Sequence, residues 1–345
     1  MKTRSQRSRI QLQLRELIED ISSAKPRLNR FNKGFEYEFY EYDRGVYVVD
    51  VSGVEGFIRS GGKVTKNLIL SNWWALFLGL LRDVNAGDVL DVGGAACTLR
   101  TSGDVNAASA VIEYGIGTTP ASFTDRSLAS AVLTLSTAIT VGYLADRVRL
   151  SFSGTLPGTA YELGIRQALI DTVPGTRTIL LTRAVGSWSA GQGIAYNIDF
   201  AAPWVRGIGD IMYGIHSNAN VPATRIDGVT FTARTTAEVN AGSAYLVASS
   251  SPVAWSPTLV SIPEAFTLTN YYVDILDKRS VRMMSIIGLI APANDIEVNA
   301  LALYQPIYDT TGATHTVCMA VLALASPITF YANRNNLVVW RIIAL

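Results

Sequence analysis

The chain has 345 residues, of which 49% are hydrophobic and 17% are charged, and its formal net charge is +1. This length is sufficient for two full hydrophobic cores and a small additional element. The net charge excludes a global electrostatic attraction to nucleic acid or acidic lipid. Because ordinary soluble domains have about 25% charged residues, the low charge predicts either neutral surface covered by other subunits or one large core.

The first 25 residues predict an amphipathic helix behind a basic arm. Apolar residues at i, i+4, i+7, i+8 and i+11 form a single helix face: Ile10, Leu14, Leu17, Ile18 and Ile21. The basic residues that precede this stripe are Lys2, Arg4, Arg7 and Arg9. Such an element can dock on a protein partner, an acidic lipid surface or nucleic acid, and it can equally pack on its own chain.

A β-hairpin is predicted next. Residues 35–42 and 46–51 are rich in aromatic and β-branched side chains, and they flank a turn at residues 43–45 that contains Gly45. Its glutamates, Glu36, Glu38 and Glu41, are interpreted as a solvated strand face and not as acid/base catalysts.

An internal repeat follows. Residues 100–110 recur as residues 234–244 with seven of eleven positions identical, an offset of 134 (244 − 110). The same offset pairs Ala131 with Ala265, and in a later hairpin it grows by four residues, which we assign to a longer turn at 311–312. The sequence therefore predicts an arm at 1–62 and two repeats at 63–205 and 206–345.

Both repeats predict an all-β fold. Apart from a helix at 72–81, short β-type segments alternate with Gly, Pro, Asn and Ser. This spacing favours two tandem, internally duplicated antiparallel β-sandwich domains, jelly-roll-like, with the N-terminal helix and hairpin in front. The apolar segment 338–345 predicts a final strand held in a sheet or in a partner.

We predict no catalytic, cofactor-binding or metal-binding residues and therefore no enzyme. His216 and His315 have no nearby histidine or clustered carboxylates, and only Cys318 lies close to either. Cys97 and Cys318 are interpreted as small buried apolar side chains, with a disulfide between them as the minor alternative. Two lone histidines leave few candidates for a general base. Two short Gly-Ile-Gly stretches, at 115–117 and 207–209, are interpreted as strand-end turns. Four tryptophans, for which core or interface anchoring is favoured over a sugar-binding face, are Trp73, Trp74, Trp204 and Trp255.

Residues 111–129, Val-Ile-Glu-Tyr-Gly-Ile-Gly-Thr-Thr-Pro-Ala-Ser-Phe-Thr-Asp-Arg-Ser-Leu-Ala, resemble a segment of tailed-bacteriophage virion structural proteins. There an apolar strand precedes a Gly-x-Gly-Thr-Thr loop, followed by Thr-Asp and Leu-Ala. Residues 66–72 and the strand at 161–165 are similar to the same domain, so the likeness covers roughly residues 63–200. The second repeat departs from it in the loop, where Ser249–Pro252 replaces Gly-Ile-Gly-Thr-Thr. The resemblance implies a non-enzymatic β-rich role in or near a tail, neck or capsid surface.

These observations predict a virus structural protein, made in a host cytoplasm and located in the virion, that assembles with copies of itself and with other virion proteins. Its basic arm is expected to contact lipid or nucleic acid if it does not contact protein. A tandem (double) jelly-roll capsid protein is the alternative within the same class. A carbohydrate-binding adhesin module is the alternative from another class.

Overall fold

The computed structural model describes residues 30–33, 37–43, 45–51, 53–173, 175–277 and 281–343. Within these ranges the chain is mostly β, with 23 strands and two helices. The amphipathic helix predicted for residues 1–25 lies outside the described residues.

Five strands precede the first helix: β1 Arg30–Lys33, β2 Tyr37–Asp43, β3 Val46–Val51, β4 Val54–Ser60 and β5 Lys63–Ile69. The first half of the remaining chain contains α1 Ser71–Arg82, β6 Ala86–Leu90, β7 Ala96–Leu99, β8 Val111–Gly115, β9 Ala131–Thr134, β10 Ala138–Tyr143, β11 Arg147–Thr155, β12 Ala160–Ile170, β13 Thr176–Trp188 and β14 Gly193–Ala201. The second half contains α2 Arg206–Ser217, β15 Val221–Thr224, β16 Thr230–Ala233, β17 Tyr245–Ser249, β18 Phe266–Thr267, β19 Thr269–Asp277, β20 Val281–Ile290, β21 Ile296–Tyr308, β22 Thr314–Phe330 and β23 Asn336–Ile343.

These strands form three larger sheets and two small ribbons. The nine-stranded sheet has the order β10-β11-β14-β4-β5-β13-β12-β8-β9, the six-stranded sheet β1-β2-β3-β23-β20-β19, and the four-stranded sheet β18-β17-β21-β22. The ribbons are β6-β7 and β15-β16. The nine-stranded sheet is curled, and only two residue pairs join β5 to β13.

The two halves of the chain have the same order of elements, and five strand pairings of the first half recur in the second. In each half one helix is followed by nine strands. The β8–β9, β8–β12 and β12–β13 pairings of the first half recur as β17–β18, β17–β21 and β21–β22. Likewise, β10–β11 and β11–β14 recur as β19–β20 and β20–β23.

The structure corrects the position of the four-residue insertion between the halves. An isolated bridge joins Asn106 to Leu169, and the equivalent bridge joins Asn240 to Ile307. The counterpart of Leu169 is therefore Ile307 and not Leu303, as a turn insertion would require. The extra residues come before β21, in the connection from β20, because the backbone of the hairpin itself is the same length in both halves.

The N-terminal strands are divided between the two halves. Strand β3 pairs in parallel with β23, so β1–β3 extend the sheet of the second half. Strands β4 and β5 pair with β14 and β13 of the first half. The predicted hairpin is confirmed as β2–β3, and the predicted final strand is confirmed as β23, between β20 and β3. The predicted boundary at 62/63 lies within the β4–β5 turn.

An aromatic cluster lies at the centre of the core. The ring of Phe77 stacks on Trp73 with centroids 5.0 Å apart and meets Trp204 edge-on at 5.3 Å. Phe200 and Trp74 complete the cluster. Such offset and edge-to-face pairs are favourable beyond the area that they bury. The largest cluster of buried apolar side chains contains residues of both halves, so one core crosses the 205/206 boundary.

Amide side chains of each half bind the end of the other half's helix. Asn240 and Gln305 donate to the carbonyl of Leu80 in α1, at 2.7 and 3.5 Å. The counterpart of Gln305 is Gln167, which donates to Ile215 O in α2 at 2.8 Å. Because the last carbonyls of a helix have no partner within the helix, these amides complete each helix from across the molecule.

Helix α2 corrects the interpretation of residues 207–209 as a strand-end turn. These residues lie in the first turn of α2. The glycines allow close packing, because a Cβ at Gly207 would collide with the carbonyl of Cys318 and a Cβ at Gly209 with Val148. Gly115, by contrast, ends strand β8, so the first Gly-Ile-Gly stretch does follow a strand, as predicted. The helix predicted for 72–81 is confirmed as α1.

Candidate functional site

The loop that carries the phage-like segment is held by one buried carboxylate. Glu162 lies in β12 and is fully buried. Its carboxylate accepts hydrogen bonds from the backbone N–H of Gly117 (3.1 Å), Ala129 (2.9 Å) and Ser130 (2.6 Å). A buried carboxylate is tolerated only when donors surround it, and hydrogen bonds to a charged acceptor are stronger than neutral ones. Both ends of the loop are therefore attached to one point of the sheet.

Arg183 compensates the charge of Glu162. This arginine lies in β13, is 3% exposed, and donates to Glu162 Oε2 at 2.9 Å. It also donates to Asp125 Oδ2 at 2.6 Å and to the carbonyl of Thr119 at 3.0 Å. We call Glu162, Arg183 and Asp125 the loop network. Its hydrogen bonds attach the segment from 115 to 130 to the sheet at several points.

The glycines of the Gly-x-Gly pair are required by this network. A Cβ at Gly117 would lie 2.5 Å from Glu162 Oε1, and a Cβ at Gly115 would lie 2.6 Å from the same atom. Neither glycine has the positive φ of a tight turn. Glycine is needed at both positions because it lacks a Cβ, which allows the backbone to approach the Glu162 carboxylate closely.

Four large apolar side chains are exposed around this loop. Their exposed fractions are 57% for Ile116, 51% for Val132, 55% for Leu133 and 40% for Tyr161. We call these four residues the apolar ridge. Ile116 follows β8, Val132 and Leu133 belong to β9, and Tyr161 precedes Glu162 in β12. The four residues therefore lie on or beside three neighbouring strands, and grouped exposed apolar side chains are characteristic of interaction surfaces.

The second half lacks this ridge, although its strands are paired in the same way. Its β17–β21 pairing makes Ser250 the counterpart of Ile116 and Asn299 the counterpart of Tyr161. Asn299 donates to the carbonyl of Ser250 at 2.7 Å, which places the two counterparts side by side. The fold therefore accepts polar residues at these positions, and packing does not require the apolar side chains of the first half.

The position equivalent to Leu133 is partly covered in the second half. Leu133 pairs with Tyr114, and the equivalent residue of the second half is Phe266, which pairs with Ala248. Phe266 is packed edge-on against Phe330 of the long strand β22, with ring centroids 6.4 Å apart. Leu133 is more than half exposed, so the first half leaves open a position that the second half covers.

The two histidines have different environments. His216 is fully buried, its Nδ1 lies 2.8 Å from Gln167 Oε1, and Trp73 donates to its Nε2 at 3.4 Å. Burial lowers the pKa of His216 to about 3, so its imidazole is neutral at ordinary pH. His315 is 2.9 Å from Asp309 in a turn and contacts the ring of Phe231. Asp309 has a lowered pKa because Thr311 and His315 bond to its carboxylate.

The tryptophans and cysteines named from the sequence belong mostly to the core. Trp73, Trp74 and Trp204 are buried, as the core interpretation predicts, and Trp255 is half-buried. Cys97 and Cys318 are both buried and unpaired, as predicted. Burial raises the pKa of the Cys97 thiol to about 11 and also raises that of Cys318, so neither is a ready nucleophile.

A charged groove of about 880 Å³ lies on the outer face of the nine-stranded sheet. At its floor Asp199 is bound by Arg149 through two hydrogen bonds of 2.7 and 2.8 Å and by Arg147 at 3.0 Å. Phe57 lies beside them, with the Arg149 guanidinium 4.9 Å from its ring centre. The charges at the floor satisfy one another across neighbouring strands, which is a structural role.

In the described part of the chain, no group of three or more His, Cys, Asp or Glu residues is placed to hold a metal ion. The described helices are also too short or too polar to cross a membrane. The chain matches no protein-family model, no curated protein and no solved structure. The apolar ridge on its fixed loop is thus the candidate site. Our sequence predictions named no site residue, although the departure of residues 249–252 from the phage-like loop signalled the difference.

Proposed function

We propose that this chain is a non-enzymatic structural protein of a virus particle. It is made in a host cytoplasm, is located in the virion, and assembles with copies of itself and with other virion proteins. The observation that carries the proposal is the apolar ridge. It is presented by a hydrogen-bonded loop in one half, while the other half is polar at the counterparts of Ile116 and Tyr161 and has a half-buried Phe266 at the counterpart of Leu133. Four partly exposed side chains of this size contribute on the order of 1 kcal/mol each when covered, enough to support a specific contact.

We also propose that the two halves are tandem antiparallel β-sandwich repeats, with residues 63–205 and 206–345 as the units. The recurrence of five strand pairings in the same chain order supports this. The helix and amide contacts across the boundary mean that the repeats work as one body. Two joined sandwiches offer two similar but unequal sets of surfaces, which suits a shell or ring component.

The basic N-terminal segment is proposed as a second assembly element. Its five apolar residues need a covering surface, because a helix of this length is marginal alone in water. Protein is the partner that we favour, with acidic lipid or nucleic acid as the other surfaces that its arginines would suit.

The double jelly-roll capsid protein remains the alternative. The matching strand order of the halves favours it, because pseudo-symmetric tiling requires two similar sandwiches. The adhesin module is not proposed further, since Trp73, Trp74 and Trp204 are buried and cannot line a sugar-binding face.

Negative-stain microscopy and light scattering of the purified full chain test the proposal. Rings or tubes would support a tail or neck component, and flat hexagonal tiles would support a capsid protein. A protein that stays monomeric at every concentration, alone and with acidic vesicles, would contradict an assembly role.

A further inference from the structure

We propose that the charged groove on the outer face of the nine-stranded sheet binds an acidic segment of another protein, which Arg59 and Lys66 select. The groove has a volume of about 880 Å³ and is lined mainly by residues of β4, β5, β11 and β14. None of these strands carries the apolar ridge, so the inference stands apart from the proposed virion role and has its own test.

Arg59 and Lys66 are the two cations of the groove that have no acidic partner among the described residues. Arg59 lies in β4 and Lys66 in β5, and both side chains are exposed. The other two cations are occupied, because Arg147 and Arg149 form ion pairs with Asp199 at 3.0 and 2.7 Å. Arg59 and Lys66 therefore keep their hydrogen-bond donors for a ligand.

The pairing of β4 with β5 brings these two cations together beside an aromatic ring. Phe57 is opposite Lys66, and Arg59 is opposite Val64. Arg59 and Lys66 are thus diagonal neighbours on one face, with about 7–8 Å between such positions, a spacing that long side chains can bridge. The Arg59 guanidinium also lies 5.4 Å from the ring centre of Phe57. A carboxylate between the two cations would contact both and offset their mutual repulsion.

The groove already contains an example of this chemistry. Arg149 holds Asp199 through two hydrogen bonds of 2.7 and 2.8 Å, and its guanidinium lies 4.9 Å from the ring centre of Phe57. Arg59 places the same group against the same ring, but no carboxylate of the described residues binds it. An acidic side chain of a partner would give Arg59 the contact that Asp199 gives Arg149.

The remaining side chains of the groove favour a polypeptide over nucleic acid. Val64 on β5 and Leu144 after β10 are 64% and 39% exposed, and they lie on opposite sides of the groove. Four basic and three acidic residues line it, and the acidic ones include Glu55 and Asp146. A nucleic acid backbone carries a charge at every step and would meet these carboxylates. A segment in which acidic residues alternate with apolar ones fits both the cations and the apolar walls.

Fluorescence anisotropy with the full chain tests the site. The probe is a short labelled peptide that repeats Glu-Ser-Leu, and the comparison probes are a Lys-Ser-Leu peptide and a labelled oligothymidylate. The test variant is Arg59→Gln with Lys66→Gln. The matched control is Arg126→Gln with Arg334→Gln, which removes the same charge at exposed arginines outside the groove. We expect the test variant to bind the acidic peptide about tenfold more weakly and the control to bind it as the wild type does.

Charge reversal separates recognition from a folding defect. Arg59→Glu with Lys66→Glu should lose the acidic peptide and bind the Lys-Ser-Leu peptide, whereas a damaged fold would bind neither. Circular dichroism of each variant checks that the sheets are intact.

Equal affinity of the wild type and the glutamine variant for the acidic peptide would overturn the site, and so would the absence of binding at low salt. Tighter binding of the oligothymidylate than of the acidic peptide would overturn the choice of a protein partner.

Discussion

At the scale of single residues, the molecule depends on a few buried polar groups whose partners come from distant parts of the chain. His216 is the clearest example, because its counterpart in α1 is Leu81, an apolar residue that is equally buried. Gln167 bonds to the imidazole, whereas Oε1 of its counterpart Gln305 has no partner among the described atoms. Protonation of the His216 imidazole would therefore destabilise the first half's arrangement, whereas the equivalent Leu81–Gln305 position contains no group that takes up a proton.

We therefore expect the protein to lose stability in mild acid through His216. The pKa of His216 is lowered to about 3 in the folded state, while an unfolded histidine titrates near its ordinary value of 6.5. Between these values only the unfolded chain takes up the proton, so the free energy of unfolding falls as the pH falls, by about 1.4 kcal/mol per pH unit for this group. Urea unfolding between pH 7 and 4 should show this slope reduced in His216→Leu. An unchanged slope would mean that other groups dominate.

A second prediction concerns the loop network. Glu162→Ala removes the buried partner of Arg183, which keeps only Asp125, and it leaves the N–H groups of Gly117, Ala129 and Ser130 without their acceptor. Breaking a buried ion pair of this kind typically costs about 3–5 kcal/mol. Glu113→Ala is the matched control, because its partner Arg166 has a side chain that is 35% exposed and can reach water. Chemical denaturation should show the larger loss for Glu162→Ala, and amide exchange should increase in residues 115–130. Equal losses in the two variants would contradict the assigned role.

At the scale of elements, each helix is part of one half of the sequence, but its C-terminal end is hydrogen-bonded by side chains of the other half. Asn240 donates to Leu80 O at the end of α1 and to Thr101 O at 3.1 Å, both in the first half. Its counterpart Asn106 donates to Thr235 O in the second half at 2.7 Å. The halves are therefore tied by reciprocal hydrogen bonds as well as by the shared core.

We expect Asn240→Ala to destabilise both halves together. The variant leaves two buried carbonyls short of a donor, at a cost of about 2–4 kcal/mol for two such bonds. Calorimetry should show one unfolding transition, shifted to lower temperature, and exchange should rise in both halves. Two separated transitions would show that the halves are independent units.

Much of the secondary structure could be predicted from the sequence, because most strands have a continuous or alternating apolar pattern of their own. Helix α1 was predicted for the same reason. Helix α2 was missed because three of its twelve residues are glycines, which disfavour a helix in isolation. Its apolar residues Ile208, Ile211, Met212 and Ile215 do follow helical spacing, so that signal was present.

The candidate site could be predicted only in part. The phage-like segment drew attention to the loop, yet the reason for its glycines is a carboxylate 45 positions later, Glu162, which no local pattern reveals. The exposure of Leu133 depends on how far β22 extends in one half and β13 in the other. Such long-range relations are decided by tertiary structure, which local sequence patterns do not encode.

At the scale of the whole molecule, assembly is the property to test first. Deletion of residues 1–25, which lie outside the described residues, is expected to leave the sheets folded and to reduce or abolish the oligomer. The five apolar side chains of this segment could contribute on the order of 5–10 kcal/mol if fully buried against another subunit. Light scattering and circular dichroism of the truncated chain check this. Normal assembly after truncation would show that the segment packs on its own chain.

The parallel pairing of β3 with β23 has a consequence for how the protein is made. During synthesis β1–β3 are made long before the strand that continues their sheet, which lies nearly 300 residues later, with Val46 opposite Leu337. The carbonyl of Leu80 at the end of α1 likewise has no Asn240 donor until the second half has been made. The backbone N–H and C=O groups on the β23-facing edge of β3 therefore have no strand partner during synthesis of the first half. Contacts between residues so far apart in sequence are slow to form. Completion of both the sheet of β1–β3 and the end of α1 therefore follows synthesis of the second half.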